Sequence, residues 1–131
     1  MNDFINAGTM RNAGLILIVI SLVFSCVLTA YRYIFKVDES LVNTKYILKG
    51  HIDYLLMGFL LLILSFLGGK PNALLILLSC IGTFANPTMF IVLAFNQNME
   101  KSPKSVFGMI TTISYIFTTV GVGGIVMYQL F

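Results

Sequence analysis

The chain has 131 residues, of which 58% are hydrophobic and 10% charged, with a formal net charge of +3. Soluble domains carry about 25% charged residues, and mean hydropathy here is +0.95. This composition excludes a water-soluble enzyme and a nucleic-acid module, which would need a basic footprint. It also excludes a secreted disulfide scaffold, because Cys26 and Cys80 both sit inside apolar runs and read as free thiols.

Four membrane crossings of roughly 20 residues each would use about 80 residues, and charge-free runs locate them. The first, Asn12 to Tyr31, holds 20 residues between Arg11 and Arg32, and predicts a span over 12–33. Ser21, Ser25 and Thr29 recur in it at four-residue steps beside Cys26, a small-residue stripe that favours close helix packing. The run is longer than the apolar core of a signal peptide, and Leu28-Thr29-Ala30 is a poor cleavage site, so the helix reads as retained.

The second run, Tyr54 to Gly69, holds only 16 residues. At 1.5 Å per residue it reaches about 24 Å, short of a hydrocarbon core roughly 30 Å thick. The span is therefore predicted over 50–69, which draws His51 and Asp53 into the membrane boundary. An ionisable residue at that depth is expensive and points to a functional site. His51 is the one histidine of the chain.

The third run, Pro71 to Met99, predicts a span over 72–95, and Asn86-Pro87 falls in its middle. Pro87 has no N–H for the carbonyl of Thr83, and Asn86 sits beside that freed acceptor. The Asn86 amide can satisfy it, link neighbouring helices or meet a ligand. The fourth run, from Ser105, predicts a span over 105–129. There Thr111, Ser114, Tyr115, Thr118, Gly121 and Gly124 recur at three- and four-residue steps, a tight packing face. The seven methionines are scattered and read as gap-fillers.

The connectors (Lys36 to Lys45, Gly68 to Pro71, Asn96 to Lys104) are short, so successive spans are antiparallel neighbours. The expected fold is all-α, a single-domain integral membrane bundle of four up-and-down helices. The end carrying both termini holds Arg11 and Lys70. The other end holds Arg32, Lys36, Lys45, Lys49, Lys101 and Lys104. The basic excess places that second end in the cytoplasm and both termini outside, in what reads as a bacterial inner membrane.

Little chemistry is available. There is no nucleophile–base pair, no ligand set for zinc and too few carboxylates for a di-iron bundle. A single neutral imidazole, however, suffices as the proximal ligand of a haem, whose pocket is otherwise apolar wall. Gly58 lies seven residues after His51 on the same helix face, where a missing side chain gives a flat macrocycle room. Arg32, Lys36, Lys45 and Lys49 are the cations expected near its propionates. With one histidine per chain, two-imidazole ligation needs two chains. Otherwise the iron keeps an open position, which favours chemistry or sensing over plain electron transfer.

Two stretches carry a family resemblance. His51-Ile-Asp-Tyr-Leu-Leu-Met57-Gly58 resembles the second-helix motif of the hydroxylaminobenzene mutases and styrene oxide isomerases. Gly82-Thr83-Phe84-Ala85-Asn86 resembles their third-helix Gly-Thr-Tyr-Ala-Asn segment. The resemblance implies a homotrimer with haem b at subunit interfaces and His51 as iron ligand. It also implies Met57 and Gly58 beside the cofactor, and Asn86 as a polar contact to a small apolar substrate bearing oxygen or nitrogen. The chain departs from the isomerase pattern at Met57, where the family has Asn, and at Phe90, where it has Tyr. Two polar groups of the epoxide site are thus missing, and the implied reaction is an isomerisation without net redox on another substrate. Three further readings remain: a non-enzymatic four-helix subunit, a structural or electron-transfer haem protein of a larger membrane complex, and a small transporter, for whose central cavity Asn86 alone qualifies as a polar group.

Overall fold

The computed structural model describes residues 5–34 (without the side chain of Arg32), 42–67, 70–96 and 106–131. These residues form four helices, α1 (Ala7–Thr29), α2 (Thr44–Phe66), α3 (Ala73–Phe95) and α4 (Val106–Leu130), with a π-helical turn over Ala30–Ile34 continuing α1. Each helix has 23 to 25 residues and is apolar enough to cross a membrane. At 1.5 Å per residue the lengths are about 34–38 Å.

Three of the helix starts are set by asparagine. The Asn6 side chain accepts from the backbone N–H of Gly8 and Thr9 at 2.9 and 3.3 Å, and the Thr9 hydroxyl accepts from the Asn6 N–H at 3.2 Å. This reciprocal cap starts α1 five residues earlier than the charge pattern predicts and carries exposed Arg11 inside the helix. Asn43 and Asn72 cap α2 and α3 by accepting from Lys45 N–H at 3.1 Å and Leu74 N–H at 2.9 Å. The largest correction concerns α2, which begins at Thr44 and not near Gly50. Lys45 and Lys49 fit inside it because both are exposed, and the Lys49 ammonium lies 5.3 Å from the centre of the Tyr46 ring.

The helices run up and down. At one end Leu28, Val42, Ile47 and Ala94 join the end of α1, the start of α2 and the end of α3 in one buried cluster, and the Asn43 N–H donates to the Ala94 carbonyl at 2.9 Å. At the other end Met10, Leu64, Ile76 and Ile125 bring all four helices together. Most contact lies between α1 and α2 and between α3 and α4; the two hairpins meet through α2 and α3. The result is an open array rather than a closed ring, with α4 resting chiefly on α3. Expected connector positions within 35–41, 68–69 and 97–105 lie outside the described residues. So do the cations Lys36, Lys101 and Lys104 and the Arg32 side chain.

Each helix pair meets at small residues, which bring backbones close and maximise contact where apolar surroundings give no hydrophobic drive between helices. A Cβ on Gly14 would lie 2.7 Å from the Gly58 carbonyl oxygen, and one on Gly58 2.8 Å from that of Gly14. Gly50 seats Ile91 and the Pro87 carbonyl of α3. Gly82 faces Thr118, Gly121 faces Ser79 and Gly124 faces Leu75, so the fourth-helix face packs on α3 as its spacing predicts except at Tyr115, which is exposed. The α1 stripe holds only in part: Ser21 is buried, whereas Thr29 is exposed and its hydroxyl turns back to the Ser25 carbonyl at 2.9 Å.

Candidate functional site

His51 lies seven residues into α2, about 10 Å from its start, and Ser21 lies eight residues before the end of α1. In antiparallel neighbours these depths match, and the two residues meet. Ser21 Oγ donates to the His51 backbone carbonyl at 2.9 Å. His51 Nδ1 sits 2.8 Å from Ser21 Oγ and 2.8 Å from the Ser21 carbonyl oxygen. A carbonyl oxygen only accepts, and the hydroxyl proton is already directed at the His51 carbonyl, so Nδ1 carries the imidazole proton. In the neutral ring Nε2 is then the nitrogen with the free lone pair, and it has no hydrogen-bond partner among the described residues.

That arrangement is the one a ligating histidine needs: one ring nitrogen tied to a backbone carbonyl, the other presented as a donor of electrons. The ring is half-buried at the edge between α1 and α2, and exposed Leu48 and Ile52 lie on the adjoining surface of α2. The chain thus supplies a ligand atom and one apolar wall. No group of three or more His, Cys, Asp or Glu that could hold a metal ion exists among the described residues.

The other sequence-derived residues are not gathered around this ring. Gly58, expected to leave room for a macrocycle, has that room filled by Gly14 and Ile18 of α1; it is a helix-packing position. Met57 is half-buried against the cluster of Leu17, Tyr54 and Leu61. Asn86 is buried on α3 and donates from Nδ2 to Asp53 Oδ2 at 3.0 Å. Of the three roles open to it, the amide takes the link between helices. Asp53 lies two residues from His51, some 200° around the helix, so the Asp53–Asn86 pair faces α3 while His51 faces α1. Phe90 is half-buried.

Between these flanks Tyr54 forms the buried centre of α2. Its ring stacks on Phe24 at 5.8 Å between centroids and meets Phe84 edge-on at 6.1 Å. Its hydroxyl donates to Thr88 Oγ1 at 2.6 Å, since the Thr88 proton goes to the Phe84 carbonyl at 2.7 Å. Sequence reasoning gave Ser21 and Tyr54 no part in a site. Equal depth from the α1–α2 turn is the signal that pairs Ser21 with His51.

A cavity of about 960 Å³ lies at the opposite end of the molecule, among the starts of α1 and α3 and the end of α4, lined by Asn6, Lys70, Asn72 and Tyr128 among others. It is remote from His51. Against known proteins the chain stands apart: no family model matches it, and neither a curated protein nor a solved structure does.

Proposed function

We propose that the chain is a multi-pass membrane protein that binds haem b through His51 Nε2, in the manner its sequence resemblance implies. The observation that carries this reading is the Ser21–His51 contact, which holds the imidazole with its ligating nitrogen free and directed away from α1's backbone. The residues fit the group in part. They offer one neutral imidazole and the apolar surface of Leu48 and Ile52, but a single chain walls only one side of a flat ring. A second copy completes the enclosure, so the haem belongs between subunits of an oligomer, the trimer of the resembled family being the expected form.

A haem held by His51 would supply Lewis-acid chemistry at its iron. The chain's own part is to orient the ligand through Ser21, keep water away with aliphatic side chains and hold the ring at a fixed depth. The reaction proposed is an isomerase-like rearrangement of a small apolar substrate bearing oxygen or nitrogen. Asn86 is engaged by Asp53 on the other flank, so it is not assigned to the substrate. The bilayer is bacterial and both termini lie outside the cytoplasm, following the basic excess at the other end.

The test is an absorbance spectrum of detergent-purified protein expressed with ample haem, oxidised and then reduced. Wild type should show a Soret band that His51→Ala loses. A haem-free wild type, or an unchanged spectrum in the variant, overturns the proposal. A second reading, a non-enzymatic subunit of a larger complex, is favoured by α4, which leaves Val106, Ile110, Ile113, Ile116 and Val120 exposed beyond its contact with α3. Purification as a haem-free chain with a stoichiometric membrane partner would select it.

A further inference from the structure

At the end remote from His51, α1, α3 and α4 close on one another through Met10, Ile76 and Ile125. One turn farther out, at Ala7, Ala73 and Tyr128, the same three helices stand around the cavity of about 960 Å³. Ile76 is buried and belongs both to the cluster and to the cavity wall, which gives the cavity an apolar floor. The volume matches that of small-molecule sites, roughly 300–1,000 Å³.

The polar side chains of the wall are donors. Lys70 brings an ammonium, and no acidic side chain pairs with it among the described residues. Asp53, the only acid there, lies nine residues into α2 from the other end. Asn72 caps α3 through Oδ1, which accepts from the Leu74 N–H at 2.9 Å. The NH₂ group is the part of its amide left over, and it has no partner among the described residues. Asn6 caps α1 in the same sense, with Oδ1 accepting from Gly8 and Thr9. Capping thus fixes which way each amide faces, and the Tyr128 hydroxyl can give or accept. A cation and amide donors without a carboxylate suit the oxygen atoms of an anion.

We infer that this cavity binds the phosphate headgroup of an anionic membrane lipid, with Lys70 and Asn72 on the phosphate oxygens and the start of an acyl chain against Ile76. A free phosphate would use the donors and leave the apolar floor bare, whereas a lipid uses both. The depth agrees. The cavity lies at the ends of helices about 34–38 Å long, the level at which headgroups border a hydrocarbon core roughly 30 Å thick. Tyrosine and lysine are the side chains suited to that boundary. The inference rests on the multi-pass placement proposed above and is independent of haem.

The experiment uses the full chain, purified in mild detergent and stripped of lipid. It is titrated with dioleoylphosphatidylglycerol, with zwitterionic dioleoylphosphatidylcholine and with inorganic phosphate, and binding is read by native mass spectrometry and by the shift in thermal unfolding. Phosphatidylglycerol should bind more tightly than phosphatidylcholine and raise the unfolding temperature. Lys70→Gln should weaken it about fivefold, the weight of one lysine at an anionic surface. Asn72→Asp keeps a capping oxygen but sets a negative charge beside the phosphate, and should weaken binding by roughly tenfold or more. Arg11→Gln removes a charge at the same end, from an exposed residue outside the cavity wall, and should leave binding little changed. Equal binding of the two lipids, equal losses in Lys70→Gln and Arg11→Gln, or full binding in Asn72→Asp overturns the site. Stabilisation by inorganic phosphate equal to that by phosphatidylglycerol overturns the assignment to a lipid. Extraction from membranes by alkaline carbonate separates the two levels. A retained chain that takes up no phosphatidylglycerol sinks the lipid site alone, whereas an extracted chain sinks the transmembrane placement.

Discussion

Ser21 and His51 exchange two hydrogen bonds between α1 and α2: the serine hydroxyl donates to the histidine carbonyl at 2.9 Å, and His51 Nδ1 donates to the serine carbonyl at 2.8 Å. Because the second acceptor is a backbone atom, the tautomer is set by the helix–helix contact itself. A ¹⁵N spectrum of histidine-labelled protein contains one residue's signals, since the chain has one His. With haem omitted and the imidazole neutral, Nδ1 should resonate as the protonated nitrogen and Nε2 as the bare one. The reverse assignment, or rapid averaging of the two, contradicts the geometry.

Replacing Ser21 by Ala removes the hydroxyl but leaves the carbonyl that accepts from Nδ1. Partners of a ligating histidine contribute about 10- to 100-fold to metal affinity. With half the contact kept, haem affinity should fall roughly tenfold, the low end of that range. Spectrophotometric titration of hemin into the apoprotein measures it, and an unchanged affinity removes Ser21 from the site.

The positions of the helices were readable from charge-free runs, most closely for α3 and α4. Where the reading slipped, physical reasons are visible. Counting charges bounded the second run at Asp53 and put the start of the span near Gly50, but Lys45 and Lys49 are exposed on α2 and do not interrupt it. Periodicity correctly placed Gly58 on the His51 face of α2. It gave no way to know that α1 occupies that place, because the contact with Gly14 spans 44 residues of sequence. His51 itself was conspicuous as the lone imidazole. Its partner was not, since a buried serine in an apolar helix looks the same whether it packs, bonds its own helix or orients a neighbour.

The Gly14–Gly58 contact makes a sharp stability prediction. A Cβ on Gly58 meets the Gly14 carbonyl oxygen at 2.8 Å and Ile18 Cγ1 at 2.7 Å, and a backbone oxygen cannot swing aside. Gly58→Ala should destabilise the chain by about 1–3 kcal/mol, the usual cost of overpacking. A Cβ on Gly123 meets nothing within 4 Å, so Gly123→Ala should be neutral or gain up to about 1 kcal/mol of helix propensity. Thermal unfolding in detergent compares the two, and equal effects would refute the packing assigned to Gly58.

Tyr54 separates ring from hydroxyl. Tyr54→Phe keeps the stacking on Phe24 and loses one bond to Thr88, whose own proton remains bonded to the Phe84 carbonyl. The cost should be about 0.5–1.5 kcal/mol. Tyr54→Ala opens a cavity between α1, α2 and α3 and should cost about 3–5 kcal/mol by analogy with other large aromatic truncations. A Phe variant as damaged as the Ala variant would mean that the hydroxyl, not the ring, holds these helices.

The most discriminating prediction sets the resemblance against the geometry at Asn86. The resembled family's third-helix motif places this residue at the substrate or haem, whereas the hydrogen bond to Asp53 holds it on the α3 flank of α2, some 200° around the helix from His51. If the flanks are independent, Asn86→Val leaves hemin affinity and the position of the Soret band at their wild-type values. The same variant removes the amide that ties Asp53 to α3 and should lower thermal stability in detergent by about 1–3 kcal/mol. Ser21→Ala, by contrast, should weaken hemin binding. Hemin affinity that falls in Ser21→Ala and holds in Asn86→Val keeps the two polar pairs apart. An altered Soret band in Asn86→Val would instead bring the two polar pairs into one haem pocket, with α2 turned relative to the arrangement described.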